Sequence, residues 1–135
     1  IDRIELDEGV VNIYGYSYMH MTSDRFYKCL ANETRLRCLM LLLDRDELCV
    51  CDIAESLGVS QPMVSRHLAQ LRACNIVSDQ REGQWVYYRL HAGLDAWQRS
   101  VLSATREGLA TEAPYDGDVS RLRNIEQQTQ GSRCR

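Results

Sequence analysis

Two cysteines one residue apart, Cys49 and Cys51, stand just ahead of a helix expected to begin near Asp52 and stop at Gly58. No regular helix turns residues i and i+2 to one face. With Cys51 at the N-cap and Cys49 in the extended approach, both sulfurs can converge on one ion without breaking a formed turn. A helix N-terminus favours the thiolate, which is the metal-binding form. Soft thiolates select thiophilic species over oxygen-seekers such as Mg²⁺ or Ca²⁺. A tetrahedral zinc site asks for four ligands, usually with a C-x₂-C spacing. This chain offers C-x-C and three scattered histidines, His20, His67 and His91, so zinc is disfavoured. The plainer alternative is a pair of small buried residues in a connection, a common fate of free cysteine. Cys29 and Cys38 lie on apolar helices and are expected in the core. Cys74 closes a later helix, and Cys134 lies in the tail.

A second group of residues follows at once: Ser60, Gln61, Met63, Ser65, Arg66, His67 and Gln70. Ser60 is expected to cap their helix, Pro62 suits its first turn, and Asn75 suits the left-handed position that ends it. Val64, Leu68 and Leu71 fall at i, i+4 and i+7 and pin the helix to a core. Gln61, Met63, Arg66 and Gln70 are thereby turned outward, with Ser65 and His67 on the flanks. Arginine can grip guanine O6 and N7 in the major groove, and glutamine can grip adenine N6 and N7. Ser60 and Ser65 suit phosphate contacts, which set register without reading sequence. His67 by itself says little, because a solvated surface histidine is the commoner case.

Positioning this helix requires neighbours, and the flanking sequence supplies them. Ile76–Gln80 and Trp85–Leu90 read as strands joined by a Glu82-Gly83-Gln84 turn. Arg81 and Gln84 at that tip could reach an adjacent minor groove. Two short helices joined by Gly58-Val59-Ser60, then a hairpin, make a mainly α winged helix-turn-helix with a small β-hairpin. The alternative is an amphipathic surface helix beside an ordinary hairpin, and winged helices also serve as protein–protein modules. Upstream, helices are expected over Ser23–Leu30 and from Glu33 to about Leu43, the second capped by Asn32. A fifth runs from about Leu94 to Ala110. Leu94, Trp97, Val101 and Leu102 on it give an apolar seam for a homodimer through the first and fifth helices.

Residues 1–20 lack a helical period and read as a loosely ordered extension; Met19 and Met21 could each begin a working chain. Residues 21–112 form the expected DNA-binding and sensing domain. Residues 113–135 read as a mobile tail, with room for a short helix around 119–127.

Composition sets bounds. At 135 residues the chain suits one domain. A hydrophobic fraction of 44% and a charged fraction of 26% are ordinary for a soluble globular protein. No run approaches the ~18 apolar residues of a membrane span. Asp2, Glu5, Asp7 and Glu8 face Arg3 alone near the start, with no apolar region after them, which disfavours a secretory signal. A cytoplasmic location is the expectation, and six cysteines there point to metal binding, redox sensing or packing before structural disulfides. The net charge of −3 argues mildly against nucleic acid. The net negative charge arises in residues 1–20, however, where four acids face one base, while Arg66, Arg72, Arg81 and Arg89 outnumber Asp79 and Glu82 within 60–90. An enzyme such as a thiol oxidoreductase would want C-x-x-C or a base beside its nucleophile, and neither is visible.

Several strings together resemble the ArsR/SmtB family. They are Ala31-Asn32-Glu33-Thr34-Arg35-Leu36, Glu47-Leu48-Cys49-Val50-Cys51-Asp52, Ser60-Gln61-Pro62, Ser65-Arg66-His67-Leu68 and Gly83-Gln84-Trp85-Val86-Tyr87-Tyr88-Arg89-Leu90. The likeness covers about residues 24–110, and the E-L-C-V-C-D string is particular to the arsenite-sensing branch. The resemblance implies a homodimeric repressor that leaves double-stranded operator DNA when As(III) or Sb(III) binds, with no organic cofactor. Members of that branch carry a third cysteine one helical turn on, where this chain has Ala54, so the third ligand is open. A thiol-redox or Cd/Pb-responsive repressor using the same pair is the alternative. A winged-helix interaction module with structural cysteines is another.

Overall fold

The computed structural model describes residues 23–129. The expectations for residues 1–20, His20 and Cys134 therefore lie outside the described residues. Six helices and a small sheet follow in chain order: α1 Ser23–Leu30, α2 Glu33–Asp44, β1 Leu48–Cys49, α3 Val50–Leu57, α4 Gln61–Ala73, β2 Val77–Glu82, β3 Trp85–Leu90, α5 Ala96–Leu109 and α6 Tyr115–Thr129. The sheet is antiparallel with order β1-β3-β2. This is a winged helix-turn-helix, as the sequence implies.

Local chemistry explains most of the boundaries. The Asn32 side chain accepts from the Arg35 amide at 3.0 Å, satisfying a donor at the start of α2. Gly58 adopts φ +68°, and its amide reaches the Ala54 carbonyl, closing α3. Asn75 takes φ 59° after α4, the left-handed position for which asparagine is suited. The β2–β3 turn uses Gly83 at φ +63°. The core gathers Phe26, Leu39, Leu41, Ile53, Val64, Leu68, Leu71 and Ile76, all fully buried.

Three local features differ from expectation. Helix α3 starts at Val50 with Cys49 as its N-cap, so Cys51 sits in the first turn instead of capping it. The cause is β1: Leu48 and Cys49 pair with Tyr88 and Tyr87 of β3, which fixes the extended backbone up to Cys49. Ser60 precedes α4 but makes no side-chain capping bond. Helix α5 begins at Ala96, later than Leu94, where the Asp95 amide donates to Gln98 Oε1 at 2.8 Å.

The largest difference is α6. Where the sequence suggests a tail with a short helix, Tyr115–Thr129 forms a helix lying against α3 and α2. Leu122 and Ile125 are buried there, and Asp118 is buried with them. Arg37 of α2 grips Asp118 through Nε at 2.8 Å and Nη2 at 2.7 Å, and Nη2 also donates to the Leu57 carbonyl. Arg121 donates to Asp118 and, at 2.6 Å, to the Ser56 carbonyl. Both carbonyls belong to the last turn of α3, whose orphan acceptors are thus satisfied by α2 and α6. Arg45 and Glu126 add a bidentate pair farther along.

Candidate thiol site and nucleic-acid interface

Cys49 ends β1 and caps α3, and Cys51 follows in the first turn. Their sulfurs lie 2.7 Å apart, and Cys49 Sγ also accepts from the Cys51 amide at 3.4 Å. Capping achieves this convergence, because Cys49 is still extended while Cys51 is already helical. Cys49 is buried against Tyr87, with Cys51 and Trp85 packed beside them, in a small cluster separate from the main core. The N-terminus of α3 presents its positive dipole end to both sulfurs, which suits thiolates.

Ala54 is buried within the main core cluster, so the position of the family's third cysteine carries only a methyl group. Cys38 is fully buried on α2, and burial pushes its thiol up to about 12, with the Arg37 charge opposing. The core expectation for Cys38 is met. For Cys29 it is incomplete: the residue is buried but joined in a disulfide to Cys74 at the end of α4. The two lie 45 positions apart, and no local pattern links them. Among the described residues there is no group of three or more His, Cys, Asp or Glu side chains arranged to hold a metal ion.

Helix α4 presents its polar face as expected. Val64, Leu68 and Leu71 are fully buried, while Gln61, Met63, Arg66 and Gln70 are exposed and Ser65 and His67 are half-buried. The wing carries Arg81 and Gln84 exposed at its tip. A groove of about 430 Å³ joins the two features, running from Cys49 and Cys51 past Gln61 and Ser65 of α4 to Arg81, Gln84 and Trp85 of the wing. Met63, Arg66, His67 and Gln70 do not line it.

Two arginines have positions in the structure that their sequence spacing does not mark. Arg72 lines the same groove and pairs with Asp79 at 2.8 Å, tying α4 to β2. Arg35 donates from Nε to the Cys29 carbonyl at 2.7 Å and from Nη1 to Gln70 Oε1 at 2.7 Å, with His67 Nδ1 at 3.4 Å. Nothing in the spacing of Arg35 marks it as a link to α4; its partners lie 32 and 35 positions away.

A helix-turn-helix with a buried apolar stripe and an exposed polar face, followed by a two-stranded wing, defines the winged helix-turn-helix class. Residues 32–79 match the family described as bacterial regulatory protein, arsR family. Over 97 residues the chain is 45% identical to the arsenic resistance transcriptional regulator ArsR1 of Pseudomonas putida, spanning 69% of this chain and 76% of that one. It is 45% identical over 78 residues to the arsenical resistance operon repressor of Escherichia coli, spanning 58% and 67% of the two chains. Among solved structures, HlyU from Vibrio cholerae superposes with a TM-score of 0.59 at 31% identity, over 66% of this chain and 92% of that one. The chain belongs to the ArsR family of bacterial regulatory proteins.

Proposed function

We propose that this protein is a homodimeric cytoplasmic repressor that holds operator DNA and releases it when As(III) or Sb(III) binds Cys49 and Cys51. One observation carries the reading: two sulfurs 2.7 Å apart open onto the groove that also holds residues of the reader helix and wing. The names of the Pseudomonas and Escherichia relatives support the choice of metalloid.

In this reading Gln61, Met63 and Arg66 face base edges, and Ser60 and Ser65 take phosphates. His67 and Gln70 lie on the flank, and Arg81 and Gln84 enter the minor groove. Residues 21–112 form the DNA-binding and sensing unit. Within the chain, Phe26 of α1 packs edge-on against Trp97 of α5 at 5.2 Å between ring centroids, which brings together the two helices proposed for the dimer seam. Tyr27 and Trp97 are 49% and 43% exposed, which is unusual for such large rings and suits a partner surface. The metalloid must bind the DNA-free state more tightly, since equal affinity for both states shifts nothing. A groove shared by thiols and reader helix gives a direct route for that difference.

The test is a mobility-shift titration on an operator selected from a random duplex pool, at stated salt. Arsenite or antimonite is expected to release wild-type protein, while Cys49→Ser and Cys51→Ser bind DNA nearly normally and stay bound. A serine variant that still dissociates at the wild-type arsenite concentration would sink the assignment. Release by cadmium, lead or peroxide instead would favour the second use of the same pair. No binding to any duplex would favour a protein-interaction module.

A further inference from the structure

Cys29 and Cys74 lie outside the groove of Cys49 and Cys51, and the proposed function assigns them no role. Cys29 sits in the last turn of α1, Cys74 is the C-cap of α4, and both are buried. Polar contacts converge on the same junction. Arg25 of α1 donates to the Ala73 carbonyl at 3.3 Å, and Arg35 ties the Cys29 carbonyl to Gln70. The disulfide is therefore a covalent staple between α1 and the last turn of the reader helix. A regulator of bacterial genes works where thiols are kept reduced, and disulfides formed there are usually transient and redox-sensing.

We propose that Cys29 and Cys74 form a second thiol site, a reversible dithiol whose substrates are small-molecule disulfides and whose oxidation locks the reader helix to α1. The proposal rests on the DNA-binding part of the reading above. The chemistry is thiol–disulfide exchange. One protein thiolate attacks a sulfur of the small disulfide, forms a mixed disulfide and expels one small thiolate, which takes up the proton. The second cysteine, deprotonated in turn, attacks the protein sulfur of the mixed disulfide and expels the second small thiol. Two protein thiols thus lose two electrons and two protons, and the small disulfide gains them as two thiols.

The staple lies at the opposite end of α4 from Gln61, Met63 and Arg66. It leaves the reading face open and fixes the pitch of the helix against α1. Orientation fixed in advance is freedom not lost on binding DNA, so the oxidised form should bind operator more tightly.

The test uses the full chain carrying Cys49→Ser, Cys51→Ser and Cys134→Ser, titrated with glutathione disulfide. Expected are the loss of two hydrogens in intact mass, a Cys29–Cys74 peptide on mapping, and operator affinity raised about threefold or more, reversed by dithiothreitol. Adding Cys29→Ser or Cys74→Ser should abolish the difference between the two states. Thiols that stay reduced, end as glutathione adducts or cross-link two chains would overturn the site. A mapped intramolecular disulfide with unchanged affinity would overturn its link to the reader helix. Wild-type protein that binds no duplex marks the failure of the DNA-binding reading, and this proposal falls with it.

Discussion

Arg35 on α2 donates to Gln70 on α4 at 2.7 Å, so one of the outward glutamines of the reader helix is held by the body of the protein. A bidentate grip on adenine would need the same Oε1 that this charge-assisted bond already uses, and such bonds are stronger than neutral ones. In the proposed reading the burden of direct readout moves toward the first half of α4, where Gln61, Met63 and Arg66 are exposed.

Arg66→Ala is accordingly expected to weaken operator binding by roughly 1–3 kcal/mol and relax specificity at one base position. Fluorescence anisotropy against operator and against random duplex checks this. Equal weakening on both would make Arg66 a phosphate contact.

The sulfur count follows from where the other cysteines sit. Ala54 supplies no ligand, Cys38 is buried with its thiol pushed up to about 12, and Cys29 is bonded to Cys74. X-ray absorption of the arsenite complex, without added thiol, should show about two protein sulfurs per arsenic. Three sulfurs, falling to two in Cys29→Ser, Cys38→Ser, Cys74→Ser or Cys134→Ser, would contradict this and name the missing ligand.

Asp118 anchors α6. Replacing it with Ala leaves the half-buried Arg37 guanidinium without its carboxylate; breaking a fully buried pair costs about 3–5 kcal/mol, and the part-exposed guanidinium puts this one at or below the lower end. The loss should appear as a lower urea midpoint. Arg37→Met with Asp118→Leu should recover most of it, because apolar replacement of a buried pair is often neutral. A single variant as stable as wild type would show that α6 contributes little.

Cys38 imposes an alkaline limit. Burial raises its folded-state value from 9.0 to about 12. The folded protein therefore holds this proton more tightly than the unfolded chain. The resulting stability is fully present below pH 9 and is lost as pH rises toward 12. The slope from this one group is about 1.4 kcal/mol per pH unit. Cys38→Ala should flatten the decline in urea-derived stability above pH 9 relative to wild type. Parallel curves for the two proteins would refute the assignment. Tyr88 and Tyr115, both raised by burial, contribute to the same range and remain in both proteins.

What could be read from sequence was local and periodic. The 3.6-residue recurrence of Val64, Leu68 and Leu71 gave the buried face of α4, and Gly83 between two apolar runs gave the wing. The thiol pair was legible as a pair, but its cap was misplaced because β1 is two residues long and owes its pairing to a distant strand, Leu48 to Tyr88 and Cys49 to Tyr87. Helix α6 was obscured because Val119, Leu122 and Ile125 are its few apolar anchors among polar residues, and a buried aspartate supplies the rest. The partners of Asp118 and Glu126 on α2 and just after it lie 81 positions upstream. No window of neighbouring residues contains such contacts, nor the disulfide between Cys29 and Cys74.

The pairing of β1 with β3 has a mechanical consequence. Cys49 is in register with Tyr87, and Tyr87 is in register with Gln80, so the capping cysteine forms the outer rung of a three-rung ladder that ends on the wing's first strand. Antiparallel rungs are stiff across the strands, because each is held by backbone hydrogen bonds to its neighbours. Backbone at Cys49 thus cannot be drawn toward an ion without tugging the strand that carries Trp85 and Val86. Under the proposed function the sensor is stitched into the fabric of the wing itself, and an inducer at the thiols would pull on the same cloth that carries Arg81.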